Sequence, residues 1–161
     1  MSVAKSAAAP STAGYSGKPL WQKLGLKPGL RTWLQRAPTD YWDWCGFDAA
    51  SVALVAGKAR AFDFGHVFAT SRVQLQSDLA SAARRLEPTG MLWISWPKKS
   101  SGVATDITEG TLRELALPLG LVDVKVCAVT DVWSGLKFVW RVDRRARVAQ
   151  TSSAILKRKS R

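Results

Sequence analysis

The segment Met91-Leu92-Trp93-Ile94-Ser95-Trp96 is apolar at every position but Ser95, and a run of this kind needs cover on both faces. Just before it, Val73, Leu75, Leu79, Ala82, Ala83 and Leu86 recur at helical spacing. Ser71 with Gln74 forms a capping-box pattern at the start of that segment, and Glu87-Pro88-Thr89-Gly90 breaks it. A helix feeding a doubly covered strand is one half of a parallel α/β sheet. The 161 residues have room for one such domain and no second.

Around this pair the chain reads as alternating elements. A short helix is expected over Pro19 to Leu24, a strand over Thr32 to Arg36, and a short aromatic helix through Tyr41, Trp42 and Trp44. Ser51 to Ala56 and Phe62 to Ala69 read as strands, joined by Gly57-Lys58-Ala59-Arg60. That link is too short for a parallel crossover, so it demands antiparallel pairing or an exchange across the sheet. Asp106 with Glu109 offers a second capping box, opening a helix over Leu112, Leu115 and Ala116. Leu121 to Val129 and Leu136 to Val142 follow as strands of an antiparallel hairpin, turned by Thr130 to Gly135. The segments at 64–69, 91–96 and 121–129 are expected side by side, pointing the same way. The fold class is therefore a small α/β, Rossmann-like sheet, mostly parallel, with a C-terminal antiparallel hairpin and helices on both faces, a layout that resembles a methyltransferase-like fold.

Charge marks out the termini. The net charge is +12, of which residues 1 to 30 carry +4 and residues 143 to 161 carry +6, leaving +2 for the rest. Residues 1–18 read as a disordered basic tail, 19–142 as the single domain, and 143–161 as a basic flexible tail. Cytoplasmic placement suits the two cysteines, and no apolar run approaches a membrane span. The acid-free, Ala/Ser-rich start is also compatible with an organellar transit peptide. Cys45 and Cys127 have no Cys or His spaced to build a metal site, so no metal is expected.

Several stretches resemble an uncharacterised bacterial family, mainly actinobacterial, known only as a domain of unknown function. They are Gly14-Tyr15-Ser16-Gly17, Lys23-Leu24-Gly25-Leu26-Lys27-Pro28-Gly29, Met91-Leu92-Trp93-Ile94-Ser95-Trp96-Pro97-Lys98-Lys99 and Gly102-Val103-Ala104-Thr105-Asp106. Glu114 through Asp123 and Trp133-Ser134-Gly135-Leu136-Lys137 extend the likeness, while Tyr41 to Trp44 and the chain beyond Arg141 depart from it. The resemblance implies no activity. The strand layout also resembles the back half of S-adenosylmethionine-dependent methyltransferases, whose last strands form a similar hairpin. Those enzymes place a Gly-rich turn after the first strand and an acid after the second. Here Ala37-Pro38-Thr39-Asp40 and Gly57-Lys58 stand there instead, so the resemblance leaves S-adenosylmethionine as the one cofactor candidate, without its Gly-rich loop.

In open α/β sheets, ligands lie beyond the carboxyl ends of the parallel strands. Thr70-Ser71-Arg72 and Lys98-Lys99-Ser100-Ser101-Gly102 fall there, the second leading toward a helix start at Asp106. Two ammonium groups, hydroxyls and free backbone N–H groups suit a phosphate or carboxylate, although a solvated loop with a capped helix is the plainer alternative. His66, Trp133 and Lys137 are accessory candidates, His66 as a general base or a core histidine, and Trp133 with Lys137 as a stacking pair. Asp63 either faces the pocket mouth or starts its strand.

The function expected on these grounds is a non-catalytic module that binds an anion, a nucleotide or a partner at the 98–102 loop. The alternatives are a diverged methyltransferase-like enzyme, or nonspecific nucleic-acid association through Arg144, Arg145, Arg147, Lys157, Arg158, Lys159 and Arg161.

Overall fold

The computed structural model describes residues 17–57 and 60–159, with side chains through residue 150. The expected tail at 1–18 lies almost entirely outside the described residues. Eleven elements follow in order: α1 (Leu20–Leu24), β1 (Arg31–Gln35), α2 (Tyr41–Cys45), β2 (Ala53–Leu54), β3 (Phe62–Phe68), α3 (Arg72–Arg85), β4 (Leu86–Pro97), α4 (Glu109–Ala116), β5 (Leu121–Ala128), β6 (Trp133–Trp140) and α5 (Val142–Lys159).

The strands form one sheet in the order β2-β1-β3-β4-β6-β5. The first four are parallel, and β6 runs antiparallel to both β4 and β5. β5 thus points the same way as β3 and β4, as the sequence suggests, but it is not beside β4. The last strand is inserted between them.

The short link after β2 is resolved by exchange across the sheet. β2 pairs only with the first two residues of β1, Arg31 with Ala53 and Thr32 with Leu54, so the chain has little distance to recover before β3 begins on the far side of β1. Ser51 to Ala56 contributes only those two strand residues. Arg85 fixes the return from α3, donating to the carbonyls of Gly57 (2.8 Å) and Arg60 (3.0 Å) while its guanidinium stacks 4.4 Å from the Trp33 ring centroid.

Strand alternation divides the core into two halves. Leu92, Ile94, Leu136 and Phe138 face Leu75, Leu79 and Ala82 of α3 and Leu112 and Ala116 of α4, with Val148 of α5 packed against the same cluster. Phe64, Phe68 and Trp93 face Leu20 and Leu24 of α1 and Tyr41 and Cys45 of α2. Helices therefore cover both faces. Trp93 is fully buried and its indole N–H donates to the Leu24 carbonyl at 2.8 Å, and the Trp140 indole does the same to Leu86 at 3.1 Å. At the amino ends of the strands Arg31 bridges Asp63 (2.9 Å) and Glu87 (3.0 Å), which places Asp63 at a strand start, away from any ligand edge.

Three expectations change. Thr108, not Asp106, caps α4, in a reciprocal box with Thr111. The turn of the hairpin is tighter than Thr130 to Gly135, because β6 already begins at Trp133 and Val129 N–H donates to the Trp133 carbonyl. Residues 143–159 are helical where a flexible tail was expected, since α5 begins directly after β6 and Val148 finds a place on the core. Among the described residues no helix is long and apolar enough to cross a membrane.

Candidate functional site

The Thr70 turn and the 98–102 loop leave the same edge of the sheet, because β3 and β4 are parallel with Phe68 opposite Ser95. The groups expected to bind an anion are largely engaged with one another. Ser71 Oγ accepts from Gln74 N–H at 3.2 Å and caps α3. Arg72 N–H donates to Asp106 Oδ1 at 2.7 Å, and the Arg72 guanidinium reaches Glu114 at 2.5 Å. Thr105 Oγ1 donates to the Thr70 carbonyl at 2.7 Å. Ser101 Oγ donates to the Lys98 carbonyl and accepts from Val103 N–H, and Gly102 takes the left-handed conformation (φ 77°) that ends this single helical turn.

The loop therefore does not present the open helix N-terminus envisaged for an anion. Residues 103–107 intervene before α4, whose first N–H groups are met by Thr108 and Thr111. Lys99 and Ser100 project to solvent, and Lys98 is partly covered, its N–H donating to the Val132 carbonyl at 2.7 Å.

His66 is completely buried. One ring nitrogen meets Tyr41 Oη at 2.9 Å and the other meets Ser95 Oγ at 2.8 Å, while Phe68 stacks on the ring with centroids 4.4 Å apart. Burial drives the imidazole down to about 3, so it is neutral, and burial likewise raises the Tyr41 hydroxyl and pushes the Cys45 thiol up to about 12. This triad is closed to solvent, which is the core-histidine outcome. The sequence reading missed Tyr41 and Ser95 as its partners. Ser95 had a signal, being the one polar residue in the 91–96 run, whereas nothing in the spacing tied Tyr41 to His66.

A cavity of about 310 Å³ opens beside the carboxyl end of β1, against α3. Trp33, Gln35, Arg36, Gln74, Ser77 and Asp78 line it, and none of them is among the ligand-site residues expected from the sequence, where Gln74 figured only as a helix-capping partner. Arg36 sits in the left-handed region (φ 56°), unusual for a side-chain-bearing residue. From there its Nε donates to the Phe68 carbonyl at 3.0 Å and its guanidinium pairs with Asp78, which also accepts from Gln35 Nε2 at 3.1 Å. Asp78 is only 5% exposed. An acid on the helix face shared by Leu75 and Leu79 was the available signal. Arg36 thus spans β1 and β3, the point at which the sheet's winding reverses and ligands enter such folds.

On the His66 face, farther across the sheet, Lys137 lies opposite Trp93 on one side and opposite Lys125 on the other. Burial and the neighbouring Lys125 charge hold Lys137 below the usual lysine range. Trp133 packs edge-on to Phe68, centroids 5.1 Å apart, and is partly buried. Among the described residues no group of His, Cys, Asp and Glu is placed to hold a metal.

No protein-family profile matches the sequence and no curated protein matches it, so the likeness to the actinobacterial family rests on the quoted motifs. Solved structures do match. One is a protein assigned to the type 11 methyltransferases from Sulfolobus solfataricus, at TM-score 0.56 and 15% identity over 76% of this chain and 90% of that one. The chain has a methyltransferase-like fold. A second is DhpI in complex with SAH, at TM-score 0.51 and 11% identity over 70% of this chain and 77% of that one. The chain spans only 39% of the length of LepI, matched as a complex with SAH and a substrate analogue at TM-score 0.48 and 14% identity over 76% of this chain. The expectation of a non-catalytic module at the 98–102 loop is corrected by these neighbours, which favour the methyltransferase-like alternative.

S-adenosylmethionine, the group this fold implies, does not fit the turn after β1. Pro38 has no N–H to offer, the Arg36 side chain lies across the β1–β3 crevice, and Val55-Ala56-Gly57 supplies no acid after β2.

Proposed function

We propose that the chain is a diverged enzyme of the S-adenosylmethionine-dependent methyltransferase class, with its ligand taken up in the Gln35–Ser77 cavity in place of the usual turn. The observation that carries this reading is the strand order, in which an antiparallel β6 lies between β4 and β5 beside four parallel strands. The cavity supports it. At about 310 Å³ it is at the small end of ligand pockets, which run from roughly 300 to 1,000 Å³. Gln74 Oε1, Ser81 Oγ and Gln35 Nε2 are engaged by Thr70 N–H, Arg85 and Asp78, which leaves the Gln35 Oε1, the Gln74 Nε2 and the Ser77 hydroxyl as the acceptors and donors for a nucleoside's base edge and ribose, beside an apolar wall at Trp33. Asp78 holds Gln35 and Arg36 in position around that space.

Calorimetry with S-adenosylhomocysteine tests the reading. One-to-one heat is expected from the native chain and none from Ser77→Trp, which fills the cavity from an exposed helix position. Absence of heat from the native chain, or heat unchanged in Ser77→Trp, overturns it.

A further inference from the structure

Lys125 and Lys137 face each other directly across the β5–β6 ladder, on the sheet face that carries α1 and α2. Like charges in such a cross-strand pair are a few ångströms apart and repel, a cost that sheets ordinarily avoid by placing an acid opposite a base. Among the described residues no carboxylate pairs with either lysine, and Asp123, the nearest acid on β5, is turned to the other face and held by Arg113 at 3.0 Å.

Lys125 is also held in place. Lys125 Nζ donates to the Lys23 carbonyl of α1 at 3.1 Å, which leaves it two further N–H groups to direct elsewhere. Lys137 is half-buried, so its ammonium has lost part of its water without gaining a counter-charge. The charges of Lys23, Lys98 and Lys125 all reach the Cys127 thiol two residues along β5, so the field over this part of the hairpin is positive well beyond the pair itself.

We propose that Lys125 and Lys137 form a binding site for a phosphate-type anion on the α1 side of the C-terminal hairpin. An anion seated between two ammonium groups turns a repulsive pair into two charge-assisted contacts, and lysine is a point-charge partner suited to phosphate. The site is separate from the Gln35–Ser77 cavity and does not depend on the methyltransferase reading. The phosphate belongs either to a small molecule or to a nucleic-acid backbone, and the two sources are separable by experiment.

The full chain is titrated with pyrophosphate at constant ionic strength, by thermal shift and calorimetry, alongside Lys125→Gln/Lys137→Gln and Lys125→Glu. Pyrophosphate is expected to raise the melting temperature of the native chain, and the double variant to weaken binding by about tenfold or more. Lys125→Glu is expected to melt higher than the native chain without ligand, since it creates a cross-strand ion pair, and to lose the pyrophosphate shift. A single-stranded RNA oligonucleotide whose retention falls in the double variant identifies the backbone source, and unchanged retention with a lost pyrophosphate shift identifies the small-molecule source. No shift in the native chain, or a shift retained in the double variant, overturns the proposal.

Discussion

His66 and Ser95 lie 2.8 Å apart on neighbouring parallel strands, with Tyr41 closing the other side of the imidazole at 2.9 Å. Both ring nitrogens are used, and no water is needed to satisfy them.

This arrangement sets a pH dependence. Burial holds the folded imidazole at about 3, below its ordinary value of about 6.5. The unfolded chain therefore takes up a proton first as pH falls. Stability from His66 is fully present above about 6.5 and is lost as pH drops from there toward about 3, at up to about 1.4 kcal/mol per pH unit. Urea midpoints measured between pH 7 and 4 should show this slope in the native chain and a shallower one in His66→Gln. Parallel curves for the two proteins would refute it.

The Arg36–Asp78 pair is the second test. Asp78 is buried, so removing Arg36 leaves a carboxylate with only Gln35 beside it. Arg36→Leu should cost about 3 kcal/mol, while Arg36→Leu/Asp78→Leu should cost clearly less, because no uncompensated charge remains. Equal losses from the single and double variants, measured by urea unfolding, would show that the pair carries no such coupling.

Asp106 and Thr105 tie the 98–107 segment to the Thr70 turn. Asp106→Ala removes the acceptor of the Arg72 N–H at an exposed position, so a loss of about 1 kcal/mol is expected, with faster amide exchange at residues 70–72. Unaltered exchange there would mean that the two turns do not depend on each other.

Gly65 supplies a packing test. A Cβ at this position would lie 2.7 Å from Phe62 and 3.0 Å from Leu92, both fully buried. Gly65→Ala should cost about 1–3 kcal/mol through overpacking, read as a lower urea midpoint.

Much of this architecture was legible because periodicity reports burial. The 71–86 segment announces α3 within a residue or two and the hairpin follows from two apolar runs around a turn, whereas the 91–96 run marks only the buried part of β4, which starts at Leu86 and passes through the expected break at 87–90. Other features depend on which strands become neighbours. The 121–129 run looks equally suited to lie beside β4 or one strand away, and only the pairing of β6 with both decides it. The candidate site was harder still. Lys98 to Gly102 resembles an anion loop in composition, yet its hydroxyl at Ser101 is spent on its own turn. Gln35 and Arg36 stand about forty residues from Asp78, and nothing local links them.

The placement of β6 bears on how the chain is made. During synthesis β5 emerges before the strand that will join it to β4, so the growing chain exposes an open β4 edge until residues 133–140 arrive. Sheet closure therefore waits on the last of the six strands in chain order. A ribosome that stalls or a stop codon that falls before Trp133 leaves a fragment with an unsatisfied edge, prone to self-association.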